Sequence, residues 1–311
     1  MAAGLQPGEP GPRQIRRILV SQVDDAVAAL TGKRATDRDV HDARKTIKKA
    51  RATLRLLRDA IPGSAYESEN IALRDAARPL SAVRDARILI DSLDRLEKRY
   101  GAPAKHAIPE AFRHHLNEQQ RRTRRQVSGL GSGARSPRAA LVRSRRRIAH
   151  WRLDEGDWPE LGRALKRIYG QGRKAFAVAR SERSVEALHE WRKQVKYLWH
   201  QLQILEPLWP GPIGELADQA HKLADYLGDD HDLAVLRQKV LEQPAMFPGR
   251  GGAGPLLALI DRFRLQLQDK AIVLGTRLYE EKPARFAAHF GRYWRSWRSV
   301  RSKNETRSAS A

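Results

Sequence analysis

Residues 40–62, VHDARKTIKKARATLRLLRDAIP, return 148 positions later at 188–210 as LHEWRKQVKYLWHQLQILEPLWP, with seven identities in an ungapped run of twenty-three. On a helix turning about 100° per residue, His41, Arg44, Lys45 and Lys48 fall on one face. Val40, Ala43, Ile47, Ala50, Leu54 and Leu57 fall on the opposite one. The second copy divides in the same way: His189, Arg192, Lys193 and Lys196 form its basic row, and Leu188, Trp191, Val195, Leu198, Leu202 and Leu205 its apolar stripe. Arg51 and Arg55 prolong the first row, and His200 prolongs the second, where the first copy has Ala52. One such row is an ordinary solvated helix face. Two copies that keep the row while their other surface positions diverge point to a shared anion.

The duplication extends outward. Leu80–Leu89, LSAVRDARIL, matches Leu227–Leu236, LGDDHDLAVL, at an offset of 147, and the run from Pro137 to Trp151 resembles that from Pro283 to Trp297 at an offset of 146. Near-constant offsets imply two related halves, 13–155 and 156–298, flanked by polar or glycine-rich tails at 1–12 and 299–311 that are expected to be mobile. Apolar residues recur at three and four, strand-like alternation is scarce, and the expected fold is all-α, built of helical bundles.

Punctuation places the helices. Asp37 and Asp39 precede the first repeat helix and Pro62-Gly63 ends it, while Ser184 offers an N-cap to the second and Pro210-Gly211-Pro212 a stop. Further helices are expected over about 13–30, 67–99, 104–128, 138–151, 159–180, 213–241, 255–281 and 284–298. GLGSGARSP at 129–137 and PAMFPGRGGAGP at 244–255 read as loops between antiparallel helices.

Charge narrows the partner. The chain carries 59 Lys and Arg against 36 Asp and Glu, a net +23, and both halves are basic: 33 against 18 up to residue 155, and 26 against 18 beyond it. A field of that size draws polyanions, so nucleic acid, inorganic polyphosphate and an anionic membrane surface all qualify at this level. The clusters Arg121-Arg122 with Arg124-Arg125, and Arg143 with Arg145-Arg146-Arg147, wrap too far round a helix to be one contact face. Arg13, Arg16 and Arg17 on the first helix, and Arg163, Lys166, Arg167 and Arg173 on its counterpart, suit the walls of a groove. Guanidinium, ammonium and imidazole groups are the donors that phosphate oxygens need, and spacings of three and four set them roughly 5 to 6 Å apart.

The absent motifs exclude much chemistry. No glycine-rich phosphate loop, His-Glu-x-x-His, nucleophile elbow or acidic magnesium cluster occurs, and with no cysteine there is no disulfide, thiolate metal site or cysteine nucleophile. His41 and His189 lie among cations that repel a metal ion, so no metal and no cofactor is expected. Asp85 and Asp232 occupy matched places beside Arg84 and His231 and are the best acid–base candidates. Their plainer reading is as structural ion pairs. Trp191, Trp199 and Trp209 read as core and helix-end packing. No apolar run reaches spanning length and the start lacks a signal peptide, so a soluble, cytoplasmic protein is expected.

His41-x-x-Arg44-Lys45-x-x-Lys48 and His189-x-x-Arg192-Lys193-x-x-Lys196, each followed by an Arg-Asp or His-Asp segment in a later helix, resemble the CHAD domain, the conserved histidine α-helical domain, over about residues 13–298. The resemblance implies two four-helix-bundle-like halves about a pseudo-twofold axis, with a basic central groove or pore that binds inorganic polyphosphate without catalysis. It also implies residence on polyphosphate granules. The implied ligand-facing residues are His41, Arg44, Lys48, His189, Arg192 and Lys196, supported by Arg17, Arg163 and Arg173. Ala52, Gln203 and Tyr197 replace basic residues at matched places, which implies an asymmetric groove. Nothing resembles the Glu-x-Glu-x-Lys run of the CYTH triphosphatase domain fused to many relatives, so any effect on polyphosphate turnover would come through partner enzymes. The alternatives are a nucleic-acid-binding protein, favoured by the same charge and the seven tryptophans, and a phosphohydrolase.

Overall fold

The computed structural model describes residues 4–6, 8–31, 36–80, 82–127, 136–153, 155–249 and 251–308, with side chains described for these except 37, 82–85, 124–127 and 300–308. Within them the chain is all-α, with twelve α-helices and no strand. The first half contains α1 (Gly11–Ala29), α2 (Asp37–Leu56), α3 (Gly63–Ala77), α4 (Ala82–Tyr100), α5 (Ala102–Ala107), α6 (Glu110–Val127) and α7 (Pro137–Ala149). The second contains α8 (Trp158–Glu182), α9 (Val185–Leu205), α10 (Pro210–Leu241), α11 (Gly254–Leu278) and α12 (Pro283–Ser308).

The repeat helices start as local chemistry requires. Thr36 caps α2 in a reciprocal box: its Oγ1 accepts from Asp39 N–H at 3.2 Å and its own N–H donates to Asp39 Oδ2 at 2.8 Å. That Thr36 N–H bond foremost, and then the Thr36 hydroxyl donating to Asp39 Oδ2 at 2.7 Å, hold the Asp39 carboxyl below its ordinary range. Ser184 Oγ accepts from Ala187 N–H at 3.2 Å, capping α9 as its sequence position predicts.

Two expected helices are each broken in two. The run 67–99 divides into α3 and α4 because Pro79 has no N–H to continue the ladder. At the matched position the second half has Tyr226, and α10 runs on unbroken for 32 residues. The run 104–128 divides into α5 and α6 at Pro109 for the same reason. The tails also depart from expectation. Leu5 is buried in the core, Gly4 O accepts from Arg17 Nη2 at 2.9 Å, and α12 continues as helix to Ser308. The expected loop at 129–137 lies outside the described residues except for Ser136, which caps α7, and Pro137.

The two halves pack alike: α1 lies against α2 and α7 as α8 lies against α9 and α12, and α4 pairs with α6 as α10 pairs with α11. Two apolar cores result, and both draw on both halves. One joins α1, α2, α3 and α7 to α8, α9, the first part of α10 and α12, around fully buried side chains such as Ile47, Leu54, Trp191 and Trp294. The other packs Leu93 of α4 and Phe112 of α6 against Leu236 of α10 and Ile260 of α11. The apolar stripes of both repeat helices are buried along their whole length, from Val40 to Leu57 and from Leu188 to Leu205. With those faces committed to the core, the basic rows are left to face outward.

Candidate functional site

α2 and α9 pack directly against each other. At their crossing Gln201 Nε2 donates to Ala52 O at 3.2 Å, and the Arg55 guanidinium lies 4.0 Å from the centre of the Tyr197 ring. The crossing therefore brings rows that are 148 residues apart in sequence to one place. On one side of it His41, Arg44, Lys45 and Lys48 of α2, with Lys196, Trp199 and His200 of α9 and His221 and Asp225 of α10, line a cleft of about 270 Å³.

The cleft combines charge with burial. Arg44 retains only 8% of its exposure. A guanidinium so far withdrawn from water acts on an incoming anion with little screening. Lys48 and Lys196 are half-buried, while His41 and Lys45 are exposed at the rim. His200 is buried, and that burial, aided by Lys49, Lys196 and His221 and opposed by a Gln203 contact, pushes its imidazole down to about 4. Lys49 is lowered too, chiefly by burial and then by Lys45. Trp199 stacks on His200 with ring centres 4.4 Å apart and meets His221 at 3.9 Å, and His221 Nδ1 lies 2.9 Å from Asp225 Oδ2. Trp199 is thus engaged by two imidazoles at the cleft wall.

The rest of the two rows is distributed along the crossing. Arg51 donates from Nε and Nη2 to Asn70 Oδ1 at 3.2 and 3.1 Å, and Arg55 donates to the Tyr66 hydroxyl. Arg55 also lines a smaller cavity of about 180 Å³ with Arg58, Tyr66, Arg167, Gln194 and Tyr197. There burial would raise the Tyr197 phenol, but Arg55, Arg51 and Lys193 outweigh it and bring it below its ordinary value, so the local field is positive. His189 packs against His231 of α10 with ring centres 4.7 Å apart; burial first, then His231, Arg192 and Lys193, lower its pKa. Arg192 lies against Gly228, and Lys193 pairs with Glu190.

The expected asymmetry has a structural form: His200 lines the cleft, whereas its counterpart Ala52 is fully buried at the crossing. Arg17, Arg163 and Arg173 are not among the residues lining either cavity. Arg17 pairs with Glu9 at 2.8 Å, Arg163 with Glu160 at 3.1 Å, and Arg173 Nε donates to Tyr279 O at 3.1 Å. The arginine clusters are similarly occupied: Arg145 pairs with Asp24 at 3.1 Å, and Arg147 with Glu69. Asp232 is buried, 3.5 Å from Arg95 of α4 and 3.6 Å from His231, a tie between halves, whereas Asp85 lies outside the described side chains.

His221, Asp225 and Arg58 carry no mark in the sequence reading. His221 had a signal: at the offset of 147 it stands opposite Arg74, a basic-for-basic match. Arg167 had been placed on a groove wall, but its bond to Asp59, at 2.6 and 2.7 Å to the two carboxylate oxygens, joins elements 108 residues apart and left no trace in spacing.

An all-α chain with duplicated histidine–arginine–lysine helices crossing at a basic cleft defines the class, and the family model for the CHAD domain matches residues 17–241. The chain belongs to the CHAD family. Its fold is similar to that of PptA from Streptomyces chartreusis, with a TM-score of 0.59 and 14% identity over 92% of this chain and 100% of that one. It is also similar to the CHAD domain from the plant Ricinus communis, with a TM-score of 0.50 and 15% identity over 90% of this chain and 95% of that one. No curated protein matches. Among the described residues no helix is long and apolar enough to cross a membrane, and no group of three or more His, Cys, Asp or Glu side chains is arranged to hold a metal ion.

Proposed function

We propose that this protein binds inorganic polyphosphate, without catalysis, in the basic cleft at the α2–α9 crossing, and that this binding carries it to polyphosphate granules in the cytoplasm. The observation that carries the reading is the convergence of Arg44, Lys45 and Lys48 with Lys196 from the other repeat around one cleft. A polymer with a charge on every unit is matched by cations repeated along two crossing helices. Membership of a family linked in general to polyphosphate binding supports the same reading. Phosphate groups need no apolar platform, and the cleft's tryptophan is already stacked on His200 and packed against His221. That favours an inorganic chain over a nucleic acid, whose bases gain from free aromatic faces. The buried Asp232 is tied to Arg95, which is why we assign it a structural rather than a hydrolytic role.

The test is a titration of labelled polyphosphate of several lengths against the wild type and a variant with Arg44, Lys48, Arg192 and Lys196 changed to alanine. Affinity should rise with chain length and fall far more in this variant than when four arginines outside the crossing are removed. Displacement of the label by single-stranded RNA at equal phosphate concentration would overturn the choice of ligand. Sustained release of phosphate in magnesium would overturn the non-enzymatic reading.

A further inference from the structure

A third cavity, of about 480 Å³, lies on the far side of α8, lined by residues of that helix, among them Lys174, Phe176, Ala177 and Arg180, and by residues at the end of α11 and just beyond it. It shares no residue with the cavities at the α2–α9 crossing. Its volume is in the range that holds a small organic ligand, on the order of 300 to 1,000 Å³.

The lining follows from how α11 runs past α8. Gly275 of α11 lies against Phe176, Tyr279 O accepts from Arg173, and Pro283 lies against Gly170. Farther along in the other direction, Arg183 pairs with Asp269 at 2.8 Å. The two helices are therefore antiparallel, and the cavity is a trough between them, bounded by Pro283 at one end and approached by the Arg183–Asp269 pair at the other. Its floor is aromatic: Phe176 and Tyr279 are 7% and 3% exposed, and their rings stack 6.0 Å apart. Gly170 and Ala177 add little bulk, so a flat body can approach closely. Val273, one turn before Thr276 on the same face of α11, is 55% exposed and extends the apolar surface.

Charge is arranged lengthwise. Arg173 and Lys174 stand about 10 Å from Arg180, two turns along α8. The one carboxylate in the lining, Glu280, follows Tyr279 and so lies toward the Arg173 end. The Arg180 guanidinium, 5.5 Å from the centre of the Phe176 ring, is at the end away from that carboxylate.

We propose that this trough binds a small organic anion with an apolar, flat or branched body and a single anionic head, the body on Phe176 and Tyr279 and the head toward Arg180. An inorganic phosphate chain is a poor fit, since it has no apolar surface to cover the floor and its repeated charges would meet Glu280. The site is thereby separate in place and in chemistry from the crossing of the basic rows.

The probe is 8-anilinonaphthalene-1-sulfonate, an aromatic body with one sulfonate, titrated by fluorescence into the full chain with and without saturating inorganic polyphosphate. One saturable site is expected, with polyphosphate shifting its affinity less than about twofold. Ala177→Trp, which fills the trough from an exposed position, and the pair Lys174→Glu with Arg180→Glu should each weaken it about tenfold, or 1.4 kcal/mol. Near-UV circular dichroism checks that each variant is folded, and Ala177→Gln serves as a smaller plug if the tryptophan unfolds it. Unchanged affinity in the folded variants, or displacement of the probe by polyphosphate, overturns the proposal.

Discussion

Removing Lys48 and Lys196 together should change how binding depends on salt, and the change can be sized from the cleft. Four of its lining residues are arginine or lysine: Arg44, Lys45, Lys48 and Lys196. Binding of a linear polyanion releases condensed counterions, and the logarithm of affinity falls with the logarithm of salt with a slope of about −0.7 per neutralised charge for a single strand. Four contacts give a slope of about −2.8, so affinity should fall about 50-fold between 50 and 200 mM salt. Changing both lysines to alanine leaves two contacts, a slope of about −1.4 and a loss of only about sevenfold. Fluorescence anisotropy of labelled polyphosphate at four salt concentrations reads both slopes. The control is Arg121→Ala with Arg122→Ala, a pair 71% and 78% exposed that faces Glu118 at 3.8 Å from each, and its slope should match the wild type. A Lys48/Lys196 variant with the wild-type slope, or a control that flattens as much, would refute the assignment of the ligand to this cleft.

Three further outcomes test the physics of the fold. Because burial holds the His200 pKa at about 4 against 6.5 in an unfolded chain, its neutral form contributes stability that is complete above pH 6.5 and lost as pH falls toward 4. Between pH 7.5 and 5 the loss should be about 2 kcal/mol in urea unfolding, and His200→Asn should flatten it. Arg147→Ala should cost about 3 kcal/mol or more, against little for Arg146→Ala. It strips the cation from Glu69, which is 2% exposed and otherwise accepts from Ser144 Oγ at 2.6 Å; denaturant midpoints measure the difference. Gly275→Ala would put a methyl 2.5 Å from Trp191 Cζ2 and 2.8 Å from Phe176 Cε2. The overpacking should cost about 1 to 3 kcal/mol, read as a lowered melting temperature.

Much of the fold was legible in one dimension because helices are local. The three-and-four spacing from Val40 to Leu57 named a stripe that is buried at every position, and Ser184 announced the start of α9. The breaks at Pro79 and Pro109 were legible too, from the missing N–H of proline, and reading through them joined helices that are separate. The start of the chain misled because composition does not show its anchors: Leu5 enters the core, and Gly4 and Glu9 are held by Arg17.

The candidate site divides along the same line. His41, Arg44, Lys45 and Lys48 share a face by periodicity alone, and duplication marks that face as kept for a purpose. Periodicity cannot say which cations end beside a neighbour's carboxylate. Arg17 meets Glu9, Arg147 meets Glu69, and Arg167 meets Asp59, each pairing set by where helices cross and not by spacing on any one of them.

Sequence by itself determined the helices, the doubling and the two basic rows, because each follows from a period of 3.6 residues or a repeat of near-constant offset. Tertiary structure decided that the rows meet, since only the packing of α2 on α9 sets Lys48 and Lys196 around one cleft and adds His221 and Asp225 from α10. Helix formation is governed by neighbours in the chain, whereas a field strong enough to hold a polyanion depends on distances between charges that the chain alone leaves open.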